Sequence, residues 1–393
     1  GAVEGRGVTM LTLTREDMEA RRFLMNLMSE AGLEVRVDAA GNIIGLRRGT
    51  KQDAPVVLAG SHIDTVPNGG RLDGALGVLA AVECVRVLNE RGVQTRHPIE
   101  VVSFTNEEGV RFPLFIGSKA VAGDLSLQEL YELKGRDGVS FKDALESWQP
   151  ELSNLPSPRR QPHEVNAFLE LHIEQGPVLE AERTPIGIVE AITGLNHFLV
   201  TLEGTSNHAG TTPMSMRRDP MLAAAKLVLA VNEIATSTSP TTRGTVGLMN
   251  VSPGAMNVIP DRVEFGVDMR DVDAGRLRSA TEAFKAAVRE VNALYRVDSK
   301  VEERAAVAPV GLSPSVIDTI EEVTRELGYS AKRMPSGAGH DAMVMRKITD
   351  VGMIFIPSKG GKSHTPEEWS EWNDIEKGAT VLLHAIAKLA EAT

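Results

Sequence analysis

The stretch GSHIDTVPNGGRLDGALGVLA, residues 60–80, combines a strand end, a glycine-rich turn and the start of a helix. The apolar run at residues 55–59 has the pattern of a buried strand, and a helical pattern begins near residue 76 and continues to residue 90. A second apolar strand pattern follows at residues 99–104. A strand, a helix and a strand in this order predict an α/β fold with a mostly parallel sheet covered by helices.

The middle of the chain has a different pattern. Residues 197–203 alternate between apolar and polar side chains, and further strand patterns at 245–251 and 262–270 are separated by a helical segment from the strand that follows. We expect an inserted α+β domain at residues 194–308. Residues 1–193 and 309–393 are expected to form the larger domain around the parallel sheet.

Composition excludes several classes of protein. The 393 residues contain 42% hydrophobic and 24% charged residues, which is ordinary for a globular protein. A net charge of −11 argues against a nucleic-acid partner, and a single cysteine excludes an intrachain disulfide or a cysteine metal cluster. We expect a cytoplasmic protein without a membrane partner, because no apolar run reaches about 18 residues and no secretory signal is visible.

Histidine and acidic side chains follow the predicted strands. His62 comes directly after the strand at 55–59, and Asp64 is placed to hold the second nitrogen of its imidazole. Asp73 lies in the glycine-rich turn that opens the next helix. Glu107 and Glu108 follow the strand at 99–104. Open α/β sheets place their sites at these strand ends, so we expect the side chains to converge.

Two later segments add further candidates. His172 and Glu174 alternate in the segment ELHIEQG, residues 170–176, and therefore share one face of an extended strand. His364 follows a late strand and a glycine-rich loop, in the segment SHTPE. With cysteine absent from the pattern, the ligand set is imidazole plus carboxylate, which suits Zn²⁺, Mn²⁺, Co²⁺ or Ni²⁺.

Each of these residues also has an ordinary structural interpretation. A histidine after a strand is often a satisfied polar residue, an aspartate before glycine is often a turn or cap, and paired glutamates often form a solvated face. None of the spacings is a compact motif such as HExxH. Spacing alone therefore leaves a metal site and a set of unrelated polar residues both open.

Seven segments together resemble the M20 metallopeptidase-like amidohydrolases, in the hydantoinase/carbamoylase branch. They are, in chain order, GSHIDTVPNGGRLDGALGVLA, FTNEEGVRF, ELHIEQGPVLE, NHAGTTPMSMRRDP, NVIPDRVEF, SGAGHDA and GKSHTPEEW. The resemblance covers most of the chain and is strongest to N-carbamoyl-L-amino acid hydrolases. The family usually has a further helix before this chain starts, so we expect a truncated or divergent N-terminus.

The resemblance implies two divalent metal ions in the larger, catalytic domain. Asp73 would bridge both ions, His62 and His172 would complete the site of one, and Glu108 and His364 would complete the site of the other. Glu107 would be the general base. Peptidase members of the family have a carboxylate where His172 stands, so this residue favours the amidohydrolase branch.

The resemblance also implies that the insert is a dimerisation and lid domain. His208 would stabilise an oxyanion, while Asn257 and Arg270 would bind the substrate carboxylate; taken alone, these residues could equally be a cap, a turn residue and a surface charge. Gln175 would contact substrate near the metals. Gly337 and Gly339 would offer backbone N–H groups to an anion. A homodimer through residues 194–308 is expected, with His208, Asn257 and Arg270 able to act on the partner's metals.

The expected activity is metal-dependent cleavage of the ureido C–N bond of N-carbamoyl-L-amino acids. Allantoate amidohydrolase and β-ureidopropionase are alternatives with the same chemistry, and an M20 dipeptidase or aminoacylase is a more distant one. A non-catalytic binding protein would be expected to lack a ligand or Glu107, and none is missing. An oxidoreductase of the dinucleotide-binding type is disfavoured because no GxGxxG follows the strands.

Overall fold

The computed structural model describes residues 1–51 and 53–393. These residues form two compact units, one comprising Gly1–Glu190 with Leu312–Thr393 and the other Ala191–Gly311. The predicted limits of the insert, residues 194 and 308, both fall inside the second unit. Each unit has its own sheet and its own helices.

The strands and helices follow one another along the whole chain. The strands are β1 (Ala2–Val3), β2 (Gly7–Val8), β3 (Glu34–Val37), β4 (Ile43–Arg47), β5 (Val56–His62), β6 (Ile99–Phe104), β7 (Val165–Ile173), β8 (Ile186–Ile192), β9 (Gly194–Glu203), β10 (Asn207–His208), β11 (Arg243–Ser252), β12 (Val258–Ile259), β13 (Arg262–Asp271), β14 (Asp298–Val307), β15 (Val310–Gly311), β16 (Ala331–Ser336) and β17 (Asp350–Ile356). The α-helices are α1 (Arg15–Glu30), α2 (Ala75–Glu90), α3 (Ile116–Ala122), α4 (Leu127–Glu132), α5 (Phe141–Trp148), α6 (Val178–Glu182), α7 (Pro220–Thr238), α8 (Ala274–Tyr295), α9 (Pro314–Glu326), α10 (Asp341–Met345) and α11 (Trp372–Leu389).

The sheet of the first unit is mixed. Its strands lie in the order β8-β17-β7-β5-β6-β4-β3, with β16 also paired to β8. The four central strands β17, β7, β5 and β6 are parallel. The flanking strands β8, β4 and β3 run antiparallel to their neighbours. The expectation of a mostly parallel sheet is wrong at these edges. The connection of β3 to β4 is too short for the crossover that parallel strands require.

The parallel strands are buried on both faces. Every residue of β6 is buried, and so is every residue of β5 after Val56. Helix α2 packs against this sheet through apolar side chains that include Val78, Val82 and Val85. Burial on both faces explains why β5 and β6 are almost continuously apolar in sequence, which is what made them predictable.

The second unit contains a four-stranded antiparallel sheet, whose strands lie in the order β11-β13-β9-β14. Strand β13 buries alternate residues, among them Val263, Phe265 and Val267, against helices α7 and α8. This alternation is the expected signature of a sheet with one covered face.

Helix α7 is, among the described residues, long and apolar enough to cross a membrane by length and composition. Its apolar residues do not form one uninterrupted run, because Lys226 and Glu233 lie within the helix. Its Ala223, Ala224, Leu227 and Val231 are nevertheless buried in the core of the second unit. Core helices of compact domains meet the same criterion, because one of their faces must be apolar.

Candidate metal centre

The candidate ligands of the first unit meet at the carboxyl ends of its parallel strands. His62 is the last residue of β5, and His172 stands one residue before the end of β7. Glu107 and Glu108 follow β6, and His364 lies on the loop that leaves β17. The side chains at these strand ends converge, as predicted.

Asp73 lies between two groups of ligand-type atoms. Its Oδ1 is 3.1 Å from Nε2 of His172 and 3.6 Å from Nε2 of His62. Its Oδ2 is 3.2 Å from Nε2 of His364, which in turn is 3.7 Å from Oε1 of Glu108. The two groups, His62–Asp73–His172 and Asp73–Glu108–His364, are each compact enough to hold one ion. A carboxylate that turns one oxygen to each group has the arrangement that a bridging ligand requires.

Gly74 explains how Asp73 comes so close to the histidines. It has a positive φ of 66° immediately before α2, and a Cβ on it would lie 2.4 Å from the His62 ring. Only glycine fits both the backbone conformation and the space. The Gly74 N–H also donates to Nε2 of His172 at 3.2 Å, so the turn and the two strand ends form one packed unit.

The hydrogen bonds of His62 and His172 define their tautomers. Nδ1 of His62 lies 3.0 Å from the main-chain oxygen of Asp64, and Nδ1 of His172 lies 2.9 Å from that of Ile173. A carbonyl oxygen can only accept, so each Nδ1 carries a proton. In the neutral ring, Nε2 then presents a lone pair to the Asp73 carboxylate. Nε2 of His172 and Oδ1 of Asp73 are then two acceptors that face each other at 3.1 Å. They repel each other unless a positive charge lies between them.

The pKa shifts of these residues also indicate that the cluster requires positive charge. Burial alone would raise the pKa of Asp73, but hydrogen bonds with His172, His364 and His62 hold it well below its usual range. Burial would lower the pKa of His62, yet the nearby Glu107 and Asp73 raise it well above the ordinary value. The Asp73 hydrogen bond likewise raises the pKa of His364. Divalent ions held by these residues would supply the positive charge that the facing acceptors require.

The two adjacent glutamates differ in their surroundings. Oε2 of Glu107 lies 3.7 Å from Nε2 of His62, and burial raises the pKa of Glu107 well above its usual range. Burial raises the pKa of Glu108 to about 7. Oε1 of Glu108 is buried without a hydrogen-bond partner. An orphaned carboxylate oxygen beside His364 fits a metal ligand, whereas Glu107 adjoins the first group without being part of it.

Asp64 holds the second nitrogen of the His62 imidazole, as predicted, and has a further role. Its carboxylate is 3.9 Å from Nδ1 of His62, and the imidazole is held by its main-chain oxygen instead. The carboxylate accepts the backbone N–H groups of Glu107 at 3.1 Å and Glu108 at 3.2 Å. Asp64 therefore holds the second nitrogen of the His62 imidazole through its main-chain oxygen, because two backbone donors of the neighbouring loop take up its carboxylate oxygens.

Gln175 lies at the centre, as predicted. Its Nε2 donates to Oδ2 of Asp73 at 2.8 Å and lies 3.5 Å from Nε2 of His364, while its Oε1 is buried without a partner. Gln175 and His364 both have a left-handed φ of 57°, and Asn106, before the glutamates, has one of 58°. Left-handed non-glycine residues concentrate at functional sites because the surrounding structure must hold them there.

The segment SGAGHDA packs behind His172. The ring of His340 is buried 4.6 Å from that of His172, and its Nε2 lies 2.9 Å from Oγ of Ser336. Gly337 and Gly339 lie between β16 and α10. A Cβ on Gly339 would lie 2.9 Å from the Phe115 ring, so close packing requires glycine at this position. Its role in binding an anion stays a prediction.

In the second unit, His208 and Asn257 are neighbours. Strands β10 and β12 pair His208 with Val258, and the main-chain oxygen of Asn257 accepts the N–H of Ala209 at 3.0 Å. Nδ1 of His208 accepts the N–H of Gly210 at 3.0 Å. The neutral His208 ring therefore carries its proton on Nε2, which makes Nε2 a hydrogen-bond donor.

Arg270, at the penultimate position of β13, is paired within the second unit. Its Nε and one terminal nitrogen donate to the Asp268 carboxylate at 2.8–3.1 Å, and Nε2 of His197 lies 3.0 Å from the same carboxylate. The Asp268 carboxylate orients the guanidinium.

The sequence patterns did not indicate two residues that contact the candidate site residues, Glu368 and Arg217. Glu368 is buried beside Asp73, yet in sequence it is one of two adjacent glutamates that look alike. Arg217 donates to the main-chain oxygens of Ala209 and Thr212 and so holds the turn after His208. Its only signal is a double arginine, whose partners are not evident without the fold.

The chain is similar to known proteins over nearly its whole length. Residues 58–388 match the family described as peptidase family M20/M25/M40. The chain is 46% identical over 386 residues to an N-carbamoyl-L-amino acid amidohydrolase of Geobacillus stearothermophilus, with 98% of this chain and 94% of the relative covered. An allantoate amidohydrolase of Bacillus subtilis (strain 168) is 37% identical over 391 residues, with 99% and 94% covered. A solved hydantoinase/carbamoylase family amidase from Burkholderia multivorans superposes with a TM-score of 0.95 at 39% identity, with 99% and 94% covered.

Proposed function

Because the chain belongs to peptidase family M20/M25/M40, we propose that it is a metal-dependent amidohydrolase that converts N-carbamoyl-L-amino acids to free amino acids. The observation that carries the proposal is the Asp73 carboxylate, shared between two compact ligand groups with Glu107 at their side. The relatives named N-carbamoyl-L-amino acid amidohydrolase support the choice of substrate.

The candidate residues fit two divalent ions. His62 and His172 with one oxygen of Asp73 would hold the first, and Glu108 and His364 with the other oxygen would hold the second. When bound, such ions lower the pKa of a water molecule and polarise the carbonyl that is attacked. The imidazole and carboxylate set is compatible with Zn²⁺, Mn²⁺, Co²⁺ or Ni²⁺.

Glu107 would transfer the proton. As the water oxygen attacks the ureido carbon, Glu107 accepts a proton from it and returns the proton to the amino-acid nitrogen as the C–N bond breaks. The products are the free amino acid and carbamate, which decomposes to CO₂ and NH₃. Burial raises the pKa of Glu107 above its usual range, which makes this carboxylate a stronger proton acceptor and so favours the role.

The second unit would supply substrate contacts. Nε2 of His208, which carries the ring proton, would donate to the oxyanion of the tetrahedral intermediate. The substrate would be held by Arg270, Asn257 and Gln175. The guanidinium of Arg270 would bind the carboxylate of the substrate. The backbone N–H groups of Gly337 and Gly339 would complete the anion site.

We also propose that residues 194–308 form a dimerisation and lid domain. Leu229 of α7 and Leu294 of α8 are more than 60% exposed, and Leu248 of the edge strand β11 is about half exposed. Apolar side chains on helices and on an unpaired strand edge are the features that a second copy of the chain could cover. His208, Asn257 and Arg270 would then act on the partner's metals.

Allantoate hydrolysis is the second candidate, favoured by the similarity to the allantoate amidohydrolase. Both substrates present a ureido group next to a carboxylate, so the residues discussed above serve either one. We propose that the neighbourhood of residues 112–115 selects the substrate side chain. Phe112 and Phe115 are buried there, whereas Leu114 is 44% exposed and available for contact.

A substrate panel tests the proposal. Metal-reconstituted protein is assayed with N-carbamoyl-L-amino acids, their D-forms, allantoate, β-ureidopropionate and dipeptides, beside chelator-treated protein. We expect the L-carbamoyl compounds to be hydrolysed fastest and activity to disappear on chelation. Faster hydrolysis of allantoate would replace the substrate assignment, dipeptide hydrolysis alone would reject the reaction class, and full activity after chelation would reject the metal requirement.

A further inference from the structure

Glu368 contacts two of the three chain segments that form the second ligand group, those of Asp73 and His364. Its side chain is buried, and Oε1 accepts the backbone N–H groups of Leu72 at 3.0 Å and Asp73 at 3.1 Å. Oε2 accepts the hydroxyl of Ser363 at 2.9 Å and the backbone N–H of His364 at 3.3 Å. One carboxylate thus receives four donors from two segments that are almost 300 residues apart in the chain.

The turn before Asp73 is shaped around this carboxylate. A Cβ on Gly70 would lie 2.0 Å from Oε1 of Glu368 and 2.4 Å from its Cβ. Any side chain at position 70 must therefore displace Glu368. The absence of a side chain at Gly70 is an observation independent of the hydrogen bonds, and it indicates a close fit of the Glu368 carboxylate.

The ligand that Glu368 restrains is otherwise the least constrained of the cluster. The His364 side chain is 50% exposed and lies on a loop, whereas His62 and His172 are buried on strands. His364 also has a left-handed backbone. A half-exposed ligand on a loop needs a tether to keep Nε2 at 3.2 Å from Oδ2 of Asp73.

We propose that Glu368 is a positioning residue that holds Asp73 and His364 at the separation required by the second metal ion. This inference rests on the metal centre of the proposed function. Four donors require a group that only accepts, and a carboxylate is such a group, whereas an amide would turn its NH₂ towards at least one donor. Loosening Glu368 releases the His364 loop and leaves His62 and His172 in place, so the second ion is lost before the first.

The test compares Glu368→Gln and Gly70→Ala with the wild-type chain. The methyl group added in Gly70→Ala displaces the Glu368 side chain without changing its charge. This variant tests the proposal if Glu368→Gln fails to fold. Glu367→Gln changes the exposed neighbouring acid and is the matched control. Ions per chain are counted by elemental analysis after dialysis at buffered free metal, and Tm is measured with and without metal.

We expect two ions in the wild-type chain and in Glu367→Gln. In Glu368→Gln and Gly70→Ala we expect one ion, about 10–100-fold weaker binding of the other, and a smaller rise of Tm on adding metal. Two ions bound at wild-type affinity in both variants would overturn the proposal, as would a single ion in the wild-type chain. An equal fall of Tm with and without metal would show a merely structural role and would also overturn it.

Failure of the proposed function is distinguishable from these outcomes. If the wild-type chain hydrolyses no N-carbamoyl amino acid but the variants lose one ion as expected, the substrate assignment fails and the role of Glu368 stands.

Discussion

The carboxylate of Asp64 binds the main chain of Glu107, with Oδ1 of Asp64 3.1 Å from the Glu107 nitrogen. Its second oxygen binds the nitrogen of Glu108, and its main-chain oxygen binds Nδ1 of His62. Asp64 therefore connects the end of β5 with the loop after β6. The candidate base and two candidate ligands take their positions from this one residue.

Replacing Asp64 by Asn should impair the centre without unfolding the chain. The amide keeps the size of the side chain, but its NH₂ faces one of the two backbone donors and repels it. We expect a loss of activity of about 10–100-fold, measured as kcat/KM of the metal-loaded enzyme with circular dichroism as a check on folding. Asp53→Asn, at an exposed position, is the control. Wild-type kcat/KM in Asp64→Asn would contradict the role.

Glu107 and Glu108 should respond differently to the same substitution. Glu107→Gln removes the proton acceptor, so hydrolysis should fall by about 10²–10⁴-fold while two ions per chain remain bound. Glu108→Gln removes a ligand and should reduce both the metal content and the activity. Elemental analysis and initial rates of both variants make the comparison. Loss of metal from Glu107→Gln, or its retention by Glu108→Gln, would reverse the assignment.

The metal-free protein should become less stable as the pH rises from about 4.5 towards 7. Burial raises the pKa of Glu108 from 4.5 to about 7, so in this window the folded chain binds more protons than the unfolded chain. His62 and His364 have raised pKa values and add stability that is lost as the pH passes through those values. His340, whose pKa burial lowers, opposes the trend below pH 6.5.

Bound metal should remove this dependence, because divalent ions replace the protons. The free energy of unfolding, measured with urea at several pH values with and without metal, tests the prediction. Metal should stabilise the chain more at pH 8 than at pH 5.5. Stabilisation that is equal at both pH values, or larger at the lower one, would contradict it.

Arg217 should affect catalysis through the His208 turn. His208→Ala removes an oxyanion donor and should lower kcat by about 10²–10³-fold. Arg217→Ala loosens the oxygens of Ala209 and Thr212 and should cause a smaller loss, together with a change in the ¹⁵N spectrum of the His208 ring. Arg218→Ala is the matched control, since Arg218 bonds to Arg296 and Asp298 instead. An unchanged ring spectrum in Arg217→Ala would refute the link.

Mixing two inactive chains should restore activity if active sites are shared between subunits. Glu107→Ala lacks the base, and His208→Ala lacks the oxyanion donor. A mixed dimer would contain one complete site, so random reassociation should recover about a quarter of the wild-type activity. The mixed dimer is confirmed by two different affinity tags. No recovery in a confirmed mixed dimer would mean that each subunit uses its own His208.

The positions of the candidate ligands at strand ends were recognisable from sequence because each adjoins a feature with a local signature, whereas their roles as ligands were implied by the family resemblance. Strands β5 and β6 are almost continuously apolar since both faces are buried, so the polar residues at or after their ends, His62 and Glu107, stand out. His172 belongs to an alternating strand segment, and Asp73 opens a helix. The antiparallel direction of β8 was not recognisable, because its partner β17 is distant in the chain. The short connection of β3 to β4, in contrast, already requires an antiparallel pair.

The sequence by itself thus determined which residues have ligand chemistry and which ends of the strands they occupy, since strand periodicity and apolar runs are local properties. Only the tertiary structure decided which atoms meet. It divides the two oxygens of Asp73 between the histidines, gives the Asp64 carboxylate to the backbone of Glu107, and places Glu368 between Asp73 and His364. The reason is physical: a hydrogen bond depends on separations of about 3 Å, and the packing of the whole sheet sets those separations.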